Sequence, residues 1–268
     1  MTLTLEEIES AAIDLLSAEK TRTQMGLISL RFPHMDMDDA YAIQSKLIDL
    51  MIVAGRREIG WKIGLTSKAM QSALNIDIPD SGVLLDHMLF SNGSQVQKDY
   101  FIQPRIEAEI AFIMKNDVTG NDITRDDIIA ATEFVAPSIE ILDTRIFRND
   151  PDTGQARNVF DTISDNAANA GIVLGKERHP IGDFDLRRVG AIVLKDGEVE
   201  ETGLGAGVLN DPVEGIVWLA RRMSEYNHNI KAGQVILSGS FVRPVDGLAG
   251  SGIEADFGSF GSVKIDFG

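Results

Sequence analysis

The sequence predicts an α+β, β-rich protein in which a helical N-terminal lobe, residues 1–58, precedes a β-rich domain, residues 59–268. In the first part of the chain, apolar residues recur at every third or fourth position, which is typical of helices that pack on a core. In the later part, short apolar segments alternate with polar residues and are separated by turn residues, as in sheets. No internal repeat or low-complexity linker interrupts the later part, so we expect a single domain there.

Two amphipathic helices are predicted in the N-terminal lobe. Thr4 and Glu7 have the spacing of a capping box, and an apolar stripe follows them through Leu16. A second helix is expected to begin near Asp36 and to end at Gly55, because glycine commonly follows the last turn of a helix. Each apolar stripe must pack against another part of the chain.

A short strand over residues 59–64 is predicted to open the β-rich domain and to run into a turn at Gly64. Polar residues at Thr66 and Ser67 then indicate the start of a helix. Lys62 lies within the strand, where a lysine is commonly an edge residue that faces solvent.

Turn residues divide the chain that follows. Pro79 and Gly82 flank Asp80, and this composition predicts a tight bend from which Asp80 projects. A helix is predicted over residues 125–135, because Pro137 disfavours helical geometry in the residue before it.

The last part of the chain is predicted to hold mostly strands. Residues 138–146 form one apolar strand, and residues 185–203 form a hairpin with an Asp-Gly pair at its tip. An Asp-Pro pair at positions 211 and 212 provides the N-cap and first residue of a helix.

Residues 102–114 form the predicted strand at the centre of the candidate site. Glu107 and Glu109 point to one face, about 6.6 Å apart at the backbone, because alternate side chains of a strand share a face. One interpretation is a solvated face that carries acids. The other is a carboxylate pair that binds a hard divalent cation such as Mg²⁺. Ala111 and Ile113 continue the acidic face and favour a half-buried setting.

A third carboxylate, Glu140, lies among apolar residues of the strand over residues 138–146. Three carboxylates from two strands form a facial ligand set suited to Mg²⁺ or Mn²⁺, with roughly three coordination positions left for substrate and water. Carboxylates that lacked a counter-charge in a half-buried setting would repel one another. A metal or a basic partner is therefore expected beside them.

Composition and missing motifs exclude several other functions. The 41 acidic and 25 basic residues give a net charge of −16, which disfavours nucleic acid and an anionic membrane surface as partners. The absence of cysteine excludes disulfides, thiolate metal sites and cysteine nucleophiles. Neither a dinucleotide fingerprint, a phosphate loop nor a nucleophile elbow occurs. The acidic N-terminus is unlike a secretory signal, and no apolar run of about 18 residues occurs, so we expect a soluble cytoplasmic protein.

Six motifs in one order identify the chain as similar to the fumarylacetoacetate hydrolase superfamily: GWKIGLTSKAM, IPDSGVLLD, PRIEAEIAF, SIEILDTRI, FDTISDNAANAG and ILSGSF. The resemblance covers nearly the whole chain and is greatest to the hydratases and decarboxylases of aromatic meta-cleavage pathways. It implies a fumarylacetoacetate-hydrolase-like mixed β-roll or barrel fold, with residues 59–268 as the metal-binding catalytic domain.

The resemblance also implies roles for particular residues. Glu107, Glu109 and Glu140 match the ligands of Mg²⁺ or Mn²⁺ in the family. Lys62 and Asp80 match the polar pair that faces the substrate, which makes them the expected groups for proton transfer.

The resemblance also implies two serines as substrate-binding residues. Ser164 and Ser240 fall in segments that line the pockets of family members. One position departs from the family pattern, since Asn158 stands where the hydratases usually carry a basic residue, and Arg157 lies one place earlier.

The activity that the resemblance implies is the metal-dependent addition of water to a 2-oxo-alkenoate derived from a 2-hydroxydienoate. The expected substrate is 2-oxohept-4-ene-1,7-dioate. The alternatives are decarboxylation of 4-oxalocrotonate, hydration of 2-hydroxypenta-2,4-dienoate, and a non-catalytic partner subunit of the same fold. Because relatives form dimers or larger rings, we expect a homo-oligomer, and a decarboxylase would also form a complex with a hydratase of its pathway.

Overall fold

The computed structural model describes residues 1–67, 71, 78–226 and 228–268, so the helix predicted to follow Ser67 lies outside the described residues. The N-terminal part contains α1 (Leu5–Thr21), the short α2 (Ile28–Arg31) and α3 (Met37–Val53). Thr4 and Glu7 form the predicted capping box of α1. The apolar faces of these helices pack together and also against residues of the β-rich part, including Val83 and Ile163.

The strands of the described residues form two sheets. Their bounds are β1 (Glu58–Gly64), β2 (Asp80–Leu85), β3 (Leu89–Phe90), β4 (Ser94–Val96), β5 (Arg105–Met114), β6 (Thr132–Leu142), β7 (Asn169–Leu174), β8 (Gly190–Lys195), β9 (Glu198–Leu204), β10 (Val235–Leu237), β11 (Val245–Asp246), β12 (Gly252–Asp256) and β13 (Ser262–Phe267). The larger sheet has the order β2-β1-β10-β5-β6-β7-β3. The short strand β11 also pairs with β5 but stands outside this order. The smaller sheet has the order β4-β13-β12-β8-β9. The predicted α+β, β-rich class is confirmed.

The main core lies between the two sheets and includes one face of β5. The apolar side chains predicted for that face are all fully buried, namely Ile106, Ala108, Ile110 and Phe112. Within the described ranges, three further helices are α4 (Arg125–Ala131), α5 (Val159–Ser164) and α6 (Pro212–Glu225). As predicted, Asp211 caps α6 and Pro212 is its first residue. The glutamates lie on the opposite face of β5, outside this apolar core.

The structure corrects two local predictions. The helix predicted over residues 125–135 ends at Ala131, and β6 runs from Thr132 through Pro137. Pro137 is tolerated because it precedes Ser138, the first residue of β6 that pairs with β7. The bend predicted at Asp80 is also wrong, since Asp80 begins β2 and pairs with Gly64 of β1. In both places sheet pairing outweighs the local preference of the chain.

Among the described residues, no helix has the length and apolar character that crossing a membrane requires.

Candidate active site

Three glutamates converge on one face of the larger sheet. Glu107 and Glu109 extend from β5, and the register of the sheet places Glu140 of β6 directly opposite Glu107. One carboxylate oxygen of each residue lies within 4.8 Å of those of the other two. Glu109 and Glu140 are fully buried, and Glu107 is half-buried. The strand pairing therefore builds the predicted three-carboxylate cluster.

Several oxygens of this cluster lack partners. Glu109 Oε2 accepts a hydrogen bond of 2.7 Å from the backbone N–H of Gly239, but Glu109 Oε1 and Glu140 Oε2 have no hydrogen-bond partner among the described residues. Burial raises the pKa of Glu107 to about 8, with repulsion from Glu140 adding to the effect. Burial likewise raises the pKa of Glu109 well above its usual range. Buried carboxylates without donors are costly, and a divalent cation supplies the missing charge, so the cluster fits a hard metal ion.

Lys62 is a buried cation beside the carboxylates. Its Nζ lies 3.2 Å from Glu140 Oε1. Burial alone would lower the pKa of Lys62, but the charges of Glu140 and Asp80 raise it above its usual value. The interpretation of Lys62 as a solvent-facing edge residue is wrong, because β1 lies between β2 and β10. Lys62 thus places a buried positive charge beside Glu140.

Asp80 meets Lys62 above Gly64. A methyl group built on Gly64 would lie 2.2 Å from Asp80 Oδ1 and 3.2 Å from Lys62 Nζ, so both polar atoms lie close over this glycine. Asp80 Oδ1 is buried and has no hydrogen-bond partner in the described part of the chain. Burial raises the pKa of Asp80, while Lys62 opposes the rise. A carboxyl group with a raised pKa holds a proton more tightly than an ordinary carboxylate, which suits a group that accepts and returns protons.

A cavity of about 340 Å³ reaches the carboxylate cluster at Glu107, while Lys62 and Asp80 are not part of its lining. Gly64, Glu107 and Ser240 are among the residues that line it. The Ser240 hydroxyl donates a hydrogen bond of 2.9 Å to the carbonyl of Val242, so it also holds the local turn. Ser164, the other predicted serine, lies at the end of α5, is fully buried and is not part of this lining.

Sequence reasoning missed two glycines that shape the site. Gly239 adopts a φ of 110°, which favours glycine, and its N–H reaches Glu109. Gly64 was interpreted as a turn residue only, although the absence of its side chain makes room for Asp80. The available signal was a glycine at or just beyond the end of a strand, which often marks a close approach of other groups.

Comparison with known sequences gives several full-length relatives, two of which are described here, although no protein-family model matches the chain. The chain is 46% identical over 250 residues to a 2-oxo-hept-4-ene-1,7-dioate hydratase of Escherichia coli, which covers 93% of this chain and 94% of the relative. It is 36% identical over 265 residues to a 2-keto-4-pentenoate hydratase of Paraburkholderia xenovorans, which covers 99% of this chain and 96% of the relative.

Solved structures share the fold. A 4-oxalocrotonate decarboxylase from Pseudomonas putida G7, complexed with magnesium and adipate, matches with a TM-score of 0.93 at 30% identity over 99% of each chain. A Yersinia pestis structure described as a fumarylacetoacetate hydrolase family protein matches with a TM-score of 0.55 at 15% identity, over 77% of this chain and 91% of that one. The predicted fumarylacetoacetate-hydrolase-like fold is confirmed.

Proposed function

Because the chain belongs to the hydratase and decarboxylase family of the fumarylacetoacetate hydrolase superfamily, we propose that it is a hydro-lyase that converts 2-oxohept-4-ene-1,7-dioate to 4-hydroxy-2-oxoheptanedioate. The observation that carries the chemistry is the convergence of the three glutamates beside the buried pair of Lys62 and Asp80. The choice of the seven-carbon diacid rests on the 46% identity to the E. coli hydratase of that substrate.

Glu107, Glu109 and Glu140 would hold a divalent cation, with Mg²⁺ or Mn²⁺ as our proposal. Such an ion would supply Lewis acidity that polarises the keto group of a 2-oxo acid and would stabilise the negative charge that develops there. The unpartnered oxygens of Glu109 and Glu140 support this assignment. So does the magnesium named in the complex of the P. putida decarboxylase.

We assign the proton transfers to Asp80. One proton moves from carbon 3 to carbon 5 of the substrate, which brings the double bond into conjugation with the keto group. The oxygen of water then bonds to carbon 4, one proton of the water passes to the base, and carbon 3 takes a proton back. The net change is the addition of one water. The buried position and raised pKa of Asp80 suit a group that carries protons in this way.

Lys62 has a different task in this proposal. Its raised pKa keeps it protonated, so it stabilises the ionised form of Asp80 each time that residue releases its proton. It also offsets part of the negative charge of Glu140, from which it lies 3.2 Å away. Its positive charge therefore opposes the rise that burial causes in the pKa of Asp80, and this helps Asp80 to release a proton that it has accepted.

The test is an ultraviolet assay of the purified chain with Mg²⁺ and three substrates in parallel: the seven-carbon and five-carbon 2-hydroxydienoates and 4-oxalocrotonate. We expect the seven-carbon diacid to gain one water, as identified by mass. Loss of carbon dioxide from 4-oxalocrotonate without any hydration would make the chain a decarboxylase instead. Turnover of none of the three would favour a non-catalytic subunit and overturn the proposal.

A further inference from the structure

The strand that carries Asp80 has one edge that no other strand covers within the described part of the chain. β2 stands at the end of the larger sheet, where β1 pairs with its other edge. The free edge presents the backbone groups of Ser81 and Val83, which lie two residues apart and therefore point the same way. Both residues are buried, so partners for these groups must come from the protein itself.

Two side-chain amides supply partners for this edge. The side-chain amide of Gln44 in α3 donates hydrogen bonds of 2.9 Å to the carbonyls of Ser81 and Ile163. Asn166 pairs with Val83 in both directions, since its Oδ1 accepts from the backbone N–H at 2.8 Å and its Nδ2 donates to the carbonyl at 2.9 Å. Both amides are almost completely buried. Gln44 and Asn166, here called the amide clamp, thus take the place of a neighbouring strand.

The turn that presents Asn166 is held in an unfavourable conformation. Residues 166–168 have φ values of 51°, 51° and 58°, in the left-handed region that costs free energy for residues with a Cβ. The turn also approaches β2 closely, because a methyl group built on Gly82 would lie 2.6 Å from the Asn166 carbonyl oxygen. Strain of this kind persists where surrounding contacts hold it, and it is common at functional sites. The hydrogen bonds between Asn166 and Val83 are such contacts, and Asn169 adds a longer one of 3.2 Å to the same carbonyl.

The amide clamp lies next to the proposed proton-transfer pair. Gln44 binds the carbonyl of Ser81, the residue that follows Asp80. The opposite edge of β2 pairs with β1, the strand of Lys62. A shift of the free edge therefore moves Asp80 relative to Lys62. The described residues that line the site cavity include neither residue of the clamp.

We propose that Gln44 and Asn166 are positioning residues of the reaction, which hold the free edge of β2. The position of this edge keeps the Asp80 carboxylate over Gly64 and beside Lys62. The proposal rests on the proposed function, because the clamp acts through the proton transfers assigned to Asp80. It also gives the helical lobe a part in turnover, since Gln44 belongs to α3. Loss of the clamp should therefore lower kcat and leave substrate and metal binding nearly unchanged.

The first test uses two variants of the clamp. Gln44→Met removes the donors but keeps a side chain of similar length, and Asn166→Gly removes the amide at a φ that glycine tolerates. For each variant we expect kcat for 2-oxohept-4-ene-1,7-dioate to fall by about 10²-fold, as for a misplacement of about 1 Å. KM and the Mg²⁺ dissociation constant, the latter measured by calorimetry, should change less than about threefold. The stoichiometry of Mg²⁺ binding gives the folded fraction, so kcat is expressed per folded chain.

A second readout separates proton transfer from hydration. 2-Oxopentanoate has no double bond to hydrate, so the exchange of its carbon 3 hydrogens with deuterium from the solvent reports removal of that proton alone. The exchange is followed by NMR with Mg²⁺ present. It should slow in both variants by the same factor as kcat, because both rates depend on the position of Asp80. Unchanged exchange together with a lower kcat would overturn the proposal.

Gln24→Met is the matched control. Gln24 also donates to two backbone carbonyls, those of Thr144 and Ile146, at 3.0 and 3.2 Å, but neither residue belongs to β2. The control should lower thermal stability while kcat per folded chain stays within about twofold of the wild type. An equal fall in kcat in the control would overturn a specific role of the clamp.

Two outcomes separate this proposal from the proposed function. A normal kcat in Gln44→Met would overturn the clamp while leaving the hydratase activity intact, whether or not Asn166→Gly folds. Absence of turnover of 2-oxohept-4-ene-1,7-dioate by the wild-type chain would overturn the proposed function and the clamp together.

Discussion

Lys62 Nζ lies 3.2 Å from Glu140 Oε1, and both side chains are almost completely buried. Lys62 belongs to β1 and Glu140 to β6, which are separated by β10 and β5 in the sheet. In a flat sheet these strands would be about 14 Å apart, so curvature of the sheet and the length of both side chains must close the gap. The contact joins the proposed proton-transfer pair to the proposed metal ligands.

Replacing Lys62 by methionine should affect proton transfer and metal binding differently. We expect turnover of 2-oxohept-4-ene-1,7-dioate to fall by about 10²–10⁴-fold, the usual contribution of a positioned proton transfer, because Asp80 loses the charge that stabilises its ionised form. Mg²⁺ affinity, measured by calorimetry, should stay equal or increase, because a positive charge beside Glu140 is removed. A variant with near-normal turnover would remove Lys62 from the mechanism.

The same Lys62→Met variant should depend more strongly on metal for its stability. Loss of the lysine leaves the buried carboxylate of Glu140 without its counter-ion, a change that typically costs about 3–5 kcal/mol. Added Mg²⁺ should recover more thermal stability in the variant than in the wild type, as measured by calorimetric melting. Equal gains in both proteins would show that the metal does not bind next to this carboxylate.

Replacing Glu107 by glutamine should weaken metal binding without unfolding the chain, since Glu107 is only half-buried. Activity should fall at low Mg²⁺ and recover in part as the concentration rises, because one of three charged ligands is lost. Glu133→Gln is the matched control, since Glu133 lies exposed at the start of the same β6 that carries Glu140. Activity that survived chelation in the wild type would contradict the metal assignment.

Replacing Gly64 by alanine should damage catalysis more than folding. The added methyl group would meet Asp80 Oδ1 at 2.2 Å, so the carboxylate must leave its present position. A misplacement of about 1 Å can lower a rate by about 10²-fold, and we expect a fall in kcat of that order. Gly26→Ala is the control, because a methyl group there meets nothing within 4 Å. An unchanged kcat in Gly64→Ala would show that the position of Asp80 does not matter.

Asp39 should make the stability of the N-terminal helices depend on pH. Burial alone would raise the pKa of Asp39, but hydrogen bonds from the backbone N–H groups of Leu3 and Asp36 and from Thr2 lower it from 3.8 to about 2. A lowered folded-state pKa means that the stabilisation is present above the unfolded value of 3.8 and is lost as the pH falls toward 2.

The corresponding experiment compares the wild type with Asp39→Asn by urea unfolding at several pH values. At pH 7 the variant should be less stable by about 1–2 kcal/mol, after allowance for solvent near the chain start. The difference should shrink between pH 4 and pH 2, within the range set by the two pKa values. A difference that stayed constant over this range would show that the charge of Asp39 contributes nothing.

Local patterns in the sequence were sufficient to predict much of the fold and part of the candidate site. The capping box of Thr4 and Glu7 and the two faces of β5 were predicted correctly, because each depends on residues a few positions apart. Strand alternation pointed to the three glutamates, and the resemblance to a known family supplied the roles expected of Lys62, Asp80, Ser164 and Ser240. Their catalytic and binding roles stay predictions until they are measured.

Only the tertiary structure decided which of those residues meet. The opposition of Glu107 and Glu140 depends on the register between β5 and β6, and the burial of Lys62 depends on strands that flank β1 on both sides. Asp80 was expected in a bend and lies in a strand because pairing with β1 outweighed its local preference. The preference of a residue for a strand or a turn depends on its neighbours in sequence, whereas strand register and burial depend on contacts between distant segments. A local pattern therefore could not determine which strands pair or which side chains are buried.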